Sequence, residues 1–170
     1  LPEGVEGDVS VNPDGTISFT PGDSFDSLAD GDSQEVEISY TISDGQGGTS
    51  TAMATVTVTG SNDGPVAEVG EIAASEDGGA VSGQLGATDA EGDDLTFSQV
   101  VEEGGEPISG LTINSDGSYS YDPGDGFQDL AVGETAEVTF SYHVEDDNGV
   151  GTTQTGTITV TGTNDGPVAT

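Results

Sequence analysis

Asp, Glu and Asn side chains are concentrated in glycine-rich loops of this chain, and their oxygen atoms could bind a hard metal cation. The densest loops read SEDGG at 75–79 and DAEGDD at 89–94, and the phrase NDGPVA occurs at 62–67 and again at 164–169. Calcium takes six to eight oxygen ligands at about 2.3–2.6 Å, which flexible loops of this composition can supply. These loops are therefore candidate calcium-binding segments.

The repeated phrase also shows how the chain is organised, because its two copies are 102 residues apart. Shifting the chain by that offset aligns residues 12–67 with 114–169 without a gap, and about half of the aligned positions are identical. A repeat of this length is one folding unit used in series. We predict a complete repeat over 65–170 and, over 1–64, only the last two-thirds of one. The incomplete copy could be a shorter variant, a proteolytic remnant or a half that another chain completes.

Strict alternation of apolar and polar residues predicts β-strands, each with one face on a core and the other in water. In the segment EVTFSYHVE at 137–145, the predicted inward residues are Val138, Phe140, Tyr142 and Val144. The corresponding inward residues of the first copy are Val36, Ile38, Tyr40 and Ile42. The last strand of each copy alternates Val or Ile with Thr in the same way.

Asp-Gly turns join alternating runs at 9–19 and at 111–121, and each pattern predicts a β-hairpin. Further strands are predicted near 66–74, 80–87 and 95–101. About seven strands in a hundred residues are typical of a Greek-key β-sandwich of the immunoglobulin or cadherin kind. We therefore predict an all-β chain of tandem Ig/cadherin-like β-sandwich domains, with the first domain truncated.

The chain carries 33 acidic residues, no Lys or Arg and a single His, for a formal net charge of −33. Nucleic-acid binding depends on cations that displace counterions from phosphates, and an anionic membrane would repel this chain, so neither is an expected partner. No apolar run is long enough for membrane insertion. Each carboxylate must therefore face water, accept hydrogen bonds or bind a metal. Halophilic solvation and disorder would also explain the charge, although the patterned strands argue against disorder.

No residue pattern predicts an enzyme. The chain lacks Cys, Trp and a glycine-rich phosphate loop, and its paired carboxylates lie at turns without an aromatic platform nearby. His143 falls on the polar face of its strand, where the first copy has Thr41, so an exposed and non-catalytic side chain is expected. Phe25 and Phe127 are each expected to anchor a Pro-Gly-Asp loop in the core.

Two longer segments carry a family resemblance, SYTISDGQGGTSTAMATVTVTGSNDGPVA and DGSYSYDPGDGFQDLAVGETAEVTFSYHVEDDNG. They resemble VCBS repeats, which are cadherin-like extender domains of large bacterial surface adhesins, many of them with RTX segments. The resemblance implies a secreted, extracellular, calcium-associated and non-catalytic repeat that serves cell adhesion or biofilm formation. Its partners would be neighbouring repeats of the same chain, while other domains would bind host or biofilm surfaces.

The resemblance to cadherins extends to individual positions. The loop GATDAEGDD is similar to the A-T-D-A-D loop of cadherins, which implies that Asp89 and Glu91 bind calcium. The joint GSNDGPV is similar to the cadherin linker Asp-x-Asn-Asp-Asn-x-Pro, which implies the same for Asn62 and Asp63. This joint departs from the linker at two points, because Gly60 replaces the first Asp and one residue is missing before the Pro. One or two calcium ions are therefore expected, at the first phrase.

A β-sandwich could bring the joint and the two acidic loops to one end, and the equivalent strand ends at Asp44 and Asp146 could contribute ligands from the preceding domain. The expected calcium ligands are Asn62, Asp63, Glu76, Asp77, Asp89, Glu91, Asp44 and Asp146. For each acidic residue the alternative is a solvated loop carboxylate, and Asp93 and Asp94 are expected to be solvated or turn-forming.

Two other functions compete with the extender. One is a recognition module that binds a glycan or a cell-surface protein directly, although an aromatic content of 5% argues against a glycan platform. The other is a repeat appended to a secreted hydrolase whose catalytic domain lies elsewhere.

Overall fold

The computed structural model describes residues 1–101 and 105–166, and within these ranges the chain is all-β apart from one 3-10 turn. The all-β prediction is thus confirmed. Contacts divide the chain into unit 1, residues 1–63 with 90–92, and unit 2, residues 64–89 with 93–170. The end of the second NDGPVA phrase, at 167–169, lies outside the described residues.

Unit 1 consists of two antiparallel hairpins, β1 (Gly7–Val11) with β2 (Ile17–Pro21) and β3 (Ser33–Ser43) with β4 (Thr49–Thr59). The 3-10 turn at Asp23–Phe25 places the Phe25 ring against Val36 and Ile38, and these three side chains are the buried core of the unit. The predicted hairpin at 9–19 and the predicted anchoring of Phe25 are confirmed.

Unit 2 contains seven strands in two main sheets within its described residues, and two short strands pair separately. The three-stranded sheet has the order β10–β11–β7, the four-stranded sheet has the order β6–β13–β12–β9, and β5 pairs with β8. The bounds are β5 (Val66–Ala67), β6 (Gly70–Ser75), β7 (Val81–Gln84), β8 (Ala87–Thr88), β9 (Thr96–Val100), β10 (Leu111–Ile113), β11 (Ser118–Tyr121), β12 (Thr135–Glu145) and β13 (Gly151–Thr161). The seven-strand prediction is confirmed.

The four-stranded sheet mixes both strand directions, because β6 runs parallel to β13 while β9 runs antiparallel to β12. Its inner face carries the core, in which Phe140, Tyr142, Val144, Ile158 and Val160 are 0–2% exposed. Gly156 of β13 leaves room for the Phe140 ring, which lies over the strand at this point. A Cβ on Gly156 would lie 2.4 Å from that ring. The predicted inward residues of β12 therefore form the core of unit 2.

The inward prediction is wrong for Ile42 of unit 1, whose side chain is 62% exposed although its counterpart Val144 is fully buried. The difference has a physical cause. In unit 2 the strand β9 covers Val144, whereas β3 of unit 1 pairs with β4 alone among the described residues. Alternation correctly predicts that Ile42 lies on the apolar face of its strand. It does not show whether a neighbouring strand covers that residue.

Candidate metal centre

A parallel strand pair determines which loops meet at one end of unit 2. Ser75, the last residue of β6, lies opposite Thr161, the last residue of β13. The residues that follow these two strands must therefore emerge side by side. The Glu76 backbone N–H donates to the Thr161 carbonyl at 3.1 Å and extends this pairing by one step. The SEDGG loop is thus placed against the second NDGPVA phrase.

Glu76 is the buried acidic residue of this end, with 2% of its surface exposed. Its Oε1 accepts a hydrogen bond from the Thr163 backbone N–H. Its Oε2 is buried and has no hydrogen-bond partner among the described residues. A buried carboxylate oxygen without a donor from the protein is unfavourable unless its charge is compensated, and a cation can do this.

Two further carboxylates lie beside Glu76. One oxygen each from Glu76, Asp77 and Asp165 lie within 4.8 Å of one another. Thr163 orients the second of these groups, because its Oγ1 donates to Asp77 Oδ2 at 2.8 Å. Three carboxylates with no cationic side chain nearby are the donor set that calcium, a hard cation with oxygen ligands, prefers. The residues present therefore fit a calcium ion.

A second acidic group surrounds the loop between β12 and β13. Asp146 is 4% exposed, and its Oδ1 accepts backbone N–H bonds from Asn148 at 3.0 Å and Val150 at 2.8 Å. The Asn148 amide in turn donates to Asp93 Oδ2 at 2.7 Å. Asp89 Oδ1 accepts the Asp93 backbone N–H at 3.2 Å. These four side chains form a connected network within unit 2.

The carboxylates of this network repel one another. Burial raises the pKa of Asp93 above its usual value, and the neighbouring carboxylates of Asp147, Asp89 and Asp146 raise the pKa further, against the opposing bond from Asn148. Asp93 is half-buried and hydrogen-bonded through both backbone and side chain, so of the two states expected of it, solvated or turn-forming, the local bond to Asp89 fits the second. The repulsion between these carboxylates would be relieved by a bound cation.

The remaining predicted ligands belong to unit 1. The Asp63 backbone N–H donates to Glu91 Oε1 at 3.4 Å, and the Asn62 amide donates to the Asp63 carbonyl at 3.0 Å. Asp44 is exposed, and its Oδ1 accepts the Gln46 and Gly48 backbone N–H groups at 2.8 and 2.9 Å. These bonds hold the pKa of Asp44 below its usual value and close the turn between β3 and β4.

The predicted ligands therefore do not share one end of a sandwich. Glu76 and Asp77 lie beyond the end of β13, whereas Asp89 belongs to the network around Asp146, which lies before the start of β13. The eleven residues of β13 extend about 35 Å, too far for one ion. The parallel β6–β13 pairing, which alternation alone does not reveal, causes this separation. The sequence did not identify Asp165, Thr163 or Asn148, although the repeated phrase marked the position of Asp165.

Comparison with known proteins identifies the family. A model described as bacterial cadherin-like domain matches residues 62–162, more than half of the chain. The chain belongs to the bacterial cadherin-like domain family. A second model, described as bacterial Ig domain, matches residues 2–59. A search of curated proteins found no match.

Solved cadherin structures share the fold of this bacterial cadherin-like chain. The human desmocollin-1 ectodomain matches 94% of the chain with a TM-score of 0.55 at 16% identity, and the chain covers 32% of that structure. Protocadherin gamma B7 cadherin domains 1–4 match 95% with a TM-score of 0.53 at 14% identity, and the chain covers 40% of them. At these identities the likeness shows the Ig/cadherin-like β-sandwich fold alone.

Membership in this family bears on the class of protein. Cadherin-like and Ig domains of this kind are typical of adhesion-type extracellular proteins, and such domains are not enzymatic. Within residues 1–101 and 105–166 no helix is long and apolar enough to cross a membrane. The bacterial cadherin-like domain thus agrees with the adhesion-type, non-enzymatic class that the sequence predicted.

Proposed function

We propose that this chain is a calcium-stiffened extender of a secreted bacterial surface adhesin, of the VCBS type found in RTX adhesins, and that it serves adhesion or biofilm formation without catalysis. In this proposal residues 1–64 are the last two-thirds of one repeat and residues 65–170 are a complete repeat. The chain would be extracellular, where calcium at millimolar concentration can occupy oxygen-ligand sites of low affinity.

The observation that carries the proposal is the buried carboxylate of Glu76. Its Oε2 has no donor among the described residues, while the carboxylates of Asp77 and Asp165 approach it. Bound calcium would supply the positive charge that this chain, without Lys or Arg, does not contain. Because Asp165 lies in the NDGPVA phrase, an ion held there would tie the phrase to the body of its repeat and limit bending of an array at that point.

The network around Asp146 supports the same function independently. Asp89, Asp93 and Asp146 carry adjacent negative charges, and a cation among them would lower their repulsion. Asn62, Asp63, Glu91 and Asp44 of unit 1 stay proposed calcium ligands. Lower repulsion along an array with a net charge of −33 per 170 residues would favour the compact folded state.

The test is calcium binding by the full chain, measured by isothermal titration calorimetry, with melting followed in calcium and in chelator. A ligand that binds only the native state must raise stability, by about 2.7 kcal/mol at a hundred times its dissociation constant. X-ray scattering should also show a longer maximum dimension in calcium. The proposal would be refuted if the melting temperature were the same in calcium and in chelator and no heat of binding were measured at millimolar calcium.

A further inference from the structure

Unit 2 has a cavity beside the loop that follows β11. Its volume is about 450 Å³, and its apolar lining residues are Ile108, Tyr121, Pro123, Phe127 and Val138. Small-molecule sites typically have volumes of about 300–1,000 Å³ and are lined mainly by apolar and aromatic side chains. The cavity is thus large enough for a small organic ligand.

The corresponding loop of unit 1 is closed. Residues 20–25 read TPGDSF and correspond to DPGDGF at 122–127. The Glu6 backbone N–H donates to Ser24 Oγ at 2.9 Å, and the Gly22 N–H donates to the Glu6 carbonyl at 3.1 Å. A Cβ added to Gly22 would lie 3.1 Å from the Glu6 side chain, so the segment before β1 packs directly on this loop.

Two differences leave the loop of unit 2 open. Gly126 stands where unit 1 has Ser24, so unit 2 lacks the hydroxyl that closes the loop. The first hairpin is also shorter on the loop side, because β1 pairs with β2 over five residues whereas β10 pairs with β11 over three. A turn in which the Leu111 N–H donates to the Ile108 carbonyl at 3.1 Å takes the place of the two further pairs.

Burial shows the same difference. Phe25 and Val36 of unit 1 are 6% and 0% exposed, while their counterparts Phe127 and Val138 are only half-buried. Elsewhere unit 2 buries its central hairpin more fully than unit 1 does. The open space is therefore a local feature of this loop of unit 2.

The loop of unit 2 is held in place by bonds within the unit. The Asp122 N–H donates to the Gly110 carbonyl at 3.0 Å, and Asp122 Oδ1 accepts the Gly124 N–H at 3.0 Å. Farther along the loop, the Leu130 N–H donates to the Phe127 carbonyl at 3.0 Å. The cavity is therefore largely pre-formed, as small-molecule sites usually are.

The rim of the cavity is acidic. Asp122 and Asp125 line it and are exposed, and the chain contains no Lys or Arg to neutralise them. Burial raises the pKa of the Tyr121 hydroxyl, and the Asp122 carboxylate raises that pKa further, so the negative potential of the rim reaches the wall of the cavity. The faces of aromatic rings also attract cations. Charge complementarity therefore favours a positively charged ligand.

We propose that this cavity binds a small organic cation with an apolar or aromatic body. The ammonium or guanidinium group would lie at the carboxylates of Asp122 and Asp125. The body would pack against Ile108, Phe127 and Val138. No segment within residues 1–170 can supply such a side chain, because the chain contains neither Lys nor Arg, so the occupant is a separate molecule. This role is separate from calcium binding and does not depend on it.

Three probes of similar shape and different charge test the proposal. These are phenethylammonium, phenethyl alcohol and hydrocinnamate, each titrated into the full ¹⁵N-labelled chain at constant ionic strength. Phenethylammonium should give saturable shifts of the amide signals of 108–110 and 122–127. The signals of 6–8 and 20–25 are the internal control and should not move, because that loop is closed. The neutral alcohol should bind more weakly, and the anion at least roughly tenfold more weakly than the cation.

Methylammonium distinguishes binding in the cavity from general attraction of cations to an acidic surface. It carries the same charge as phenethylammonium but lacks the apolar body. It should therefore give no saturable shift at 122–127 over the same concentration range.

Protein variants locate the site. Asp125→Asn should weaken binding of phenethylammonium by about two- to fivefold, as expected for an exposed charge, and should leave binding of phenethyl alcohol unchanged. Asp129→Asn removes the same charge at an exposed residue that does not line the cavity, and should change neither affinity. Val138→Phe should fill the cavity and abolish binding of both probes. Should that variant fail to fold, the comparison of Asp125→Asn with Asp129→Asn still decides.

Several outcomes would overturn the proposal. These are no saturable shift at 122–127, equal affinity for the cation and the anion, saturable binding of methylammonium at the same signals, or equal effects of Asp125→Asn and Asp129→Asn. The titration is repeated in millimolar calcium and in chelator. Calcium that shifts 122–127 by itself and displaces phenethylammonium would assign these carboxylates to a metal and would also overturn the proposal.

Discussion

The two units contain the same central hairpin, yet unit 1 buries only part of it, around Val36 and Ile38, whereas unit 2 buries it over most of its length. β3 with β4 and β12 with β13 are both eleven-residue strands paired over their full length. Val160 is completely buried in unit 2, whereas its counterpart Val58 is only half-buried in unit 1. Strand formation therefore depends on local alternation and turn residues, while burial depends on β6 and β9, which the described part of unit 1 does not contain.

The two NDGPVA phrases differ in the same way. Asp165 of the second phrase has Glu76 and Asp77 as neighbours, and these two residues follow β6 directly. Asp63 of the first phrase has no such pair of carboxylates among the described residues of unit 1. We expected the metal site at the first phrase, but the carboxylate cluster lies at the second. β6, the strand that completes the core of unit 2, thus also positions the buried carboxylate of Glu76.

The largest expected effect compares Tyr142→Ala with Tyr40→Ala. Deleting a large buried aromatic side chain costs about 3–5 kcal/mol, and Tyr142 is completely buried and donates through its hydroxyl to the Glu68 carbonyl. Tyr40 lines an open cavity, so its loss should cost far less. Hydrogen exchange followed by mass spectrometry in urea would report each unit separately. Equal losses in the two units would show that unit 1 is buried in solution.

The second-largest expected effect concerns Glu76, which lies beside the second NDGPVA phrase. Glu76→Gln should remove most of the calcium-dependent rise in melting temperature, because the buried Oε2 would no longer carry charge. In chelator the same variant should be at least as stable as the wild type, since an uncompensated buried charge is removed. Glu71→Gln, at an exposed position of the preceding strand β6, is the matched control and should leave both melting curves unchanged. A variant that keeps the full calcium response would exclude Glu76 as a ligand.

A smaller effect concerns Asp93, whose pKa is raised by burial and by Asp147. A carboxyl whose folded pKa exceeds its unfolded value destabilises the fold when ionised, and this penalty disappears as pH falls through the folded pKa towards 3.8. Without calcium at pH 7, Asp93→Asn should therefore raise the melting temperature of unit 2 slightly. The advantage should shrink as pH falls to about 4, and the variant should respond less to calcium. Melts between pH 4 and 7 would test this, with Asp94→Asn as the control.

Sequence predicted the parts of this molecule that local chemistry determines. Alternation located β3, β4, β12 and β13, and the Asp-Gly turns located the hairpins. It did not predict that β6 would run parallel to β13, because pairing between strands some eighty residues apart leaves no local pattern. For that reason Asp77 was grouped with the first phrase, whereas its carboxylate lies beside Asp165 of the second. For the same reason Ile42 was expected in a covered core. The sequence identified the residue types of the site. Which of these residues lie beside one another depends on the strand topology, which the sequence did not reveal.

The smallest expected effect lies where the two units are alike, in the turn of the first hairpin. Asp14 Oδ1 accepts bonds from the Thr16 N–H and Oγ1 at 3.0 and 2.7 Å, and Asp116 accepts the same two bonds from Ser118 at 2.9 and 2.6 Å. These bonds lower the pKa of both carboxyls, so their stabilising contribution is present above pH 3.8 and is lost as pH falls through the lower folded values.

Asp14→Ala and Asp116→Ala should therefore each lower the melting temperature of their own unit by a similar small amount at pH 7. Neither variant should differ from the wild type once the pH lies well below the folded pKa values. Both turns are exposed and closed by their own residues, so it should not matter that the described part of unit 1 has no counterparts of β6 and β9. A much larger loss for Asp116→Ala than for Asp14→Ala would show that β7, which pairs with β11 in unit 2, reinforces even the turn.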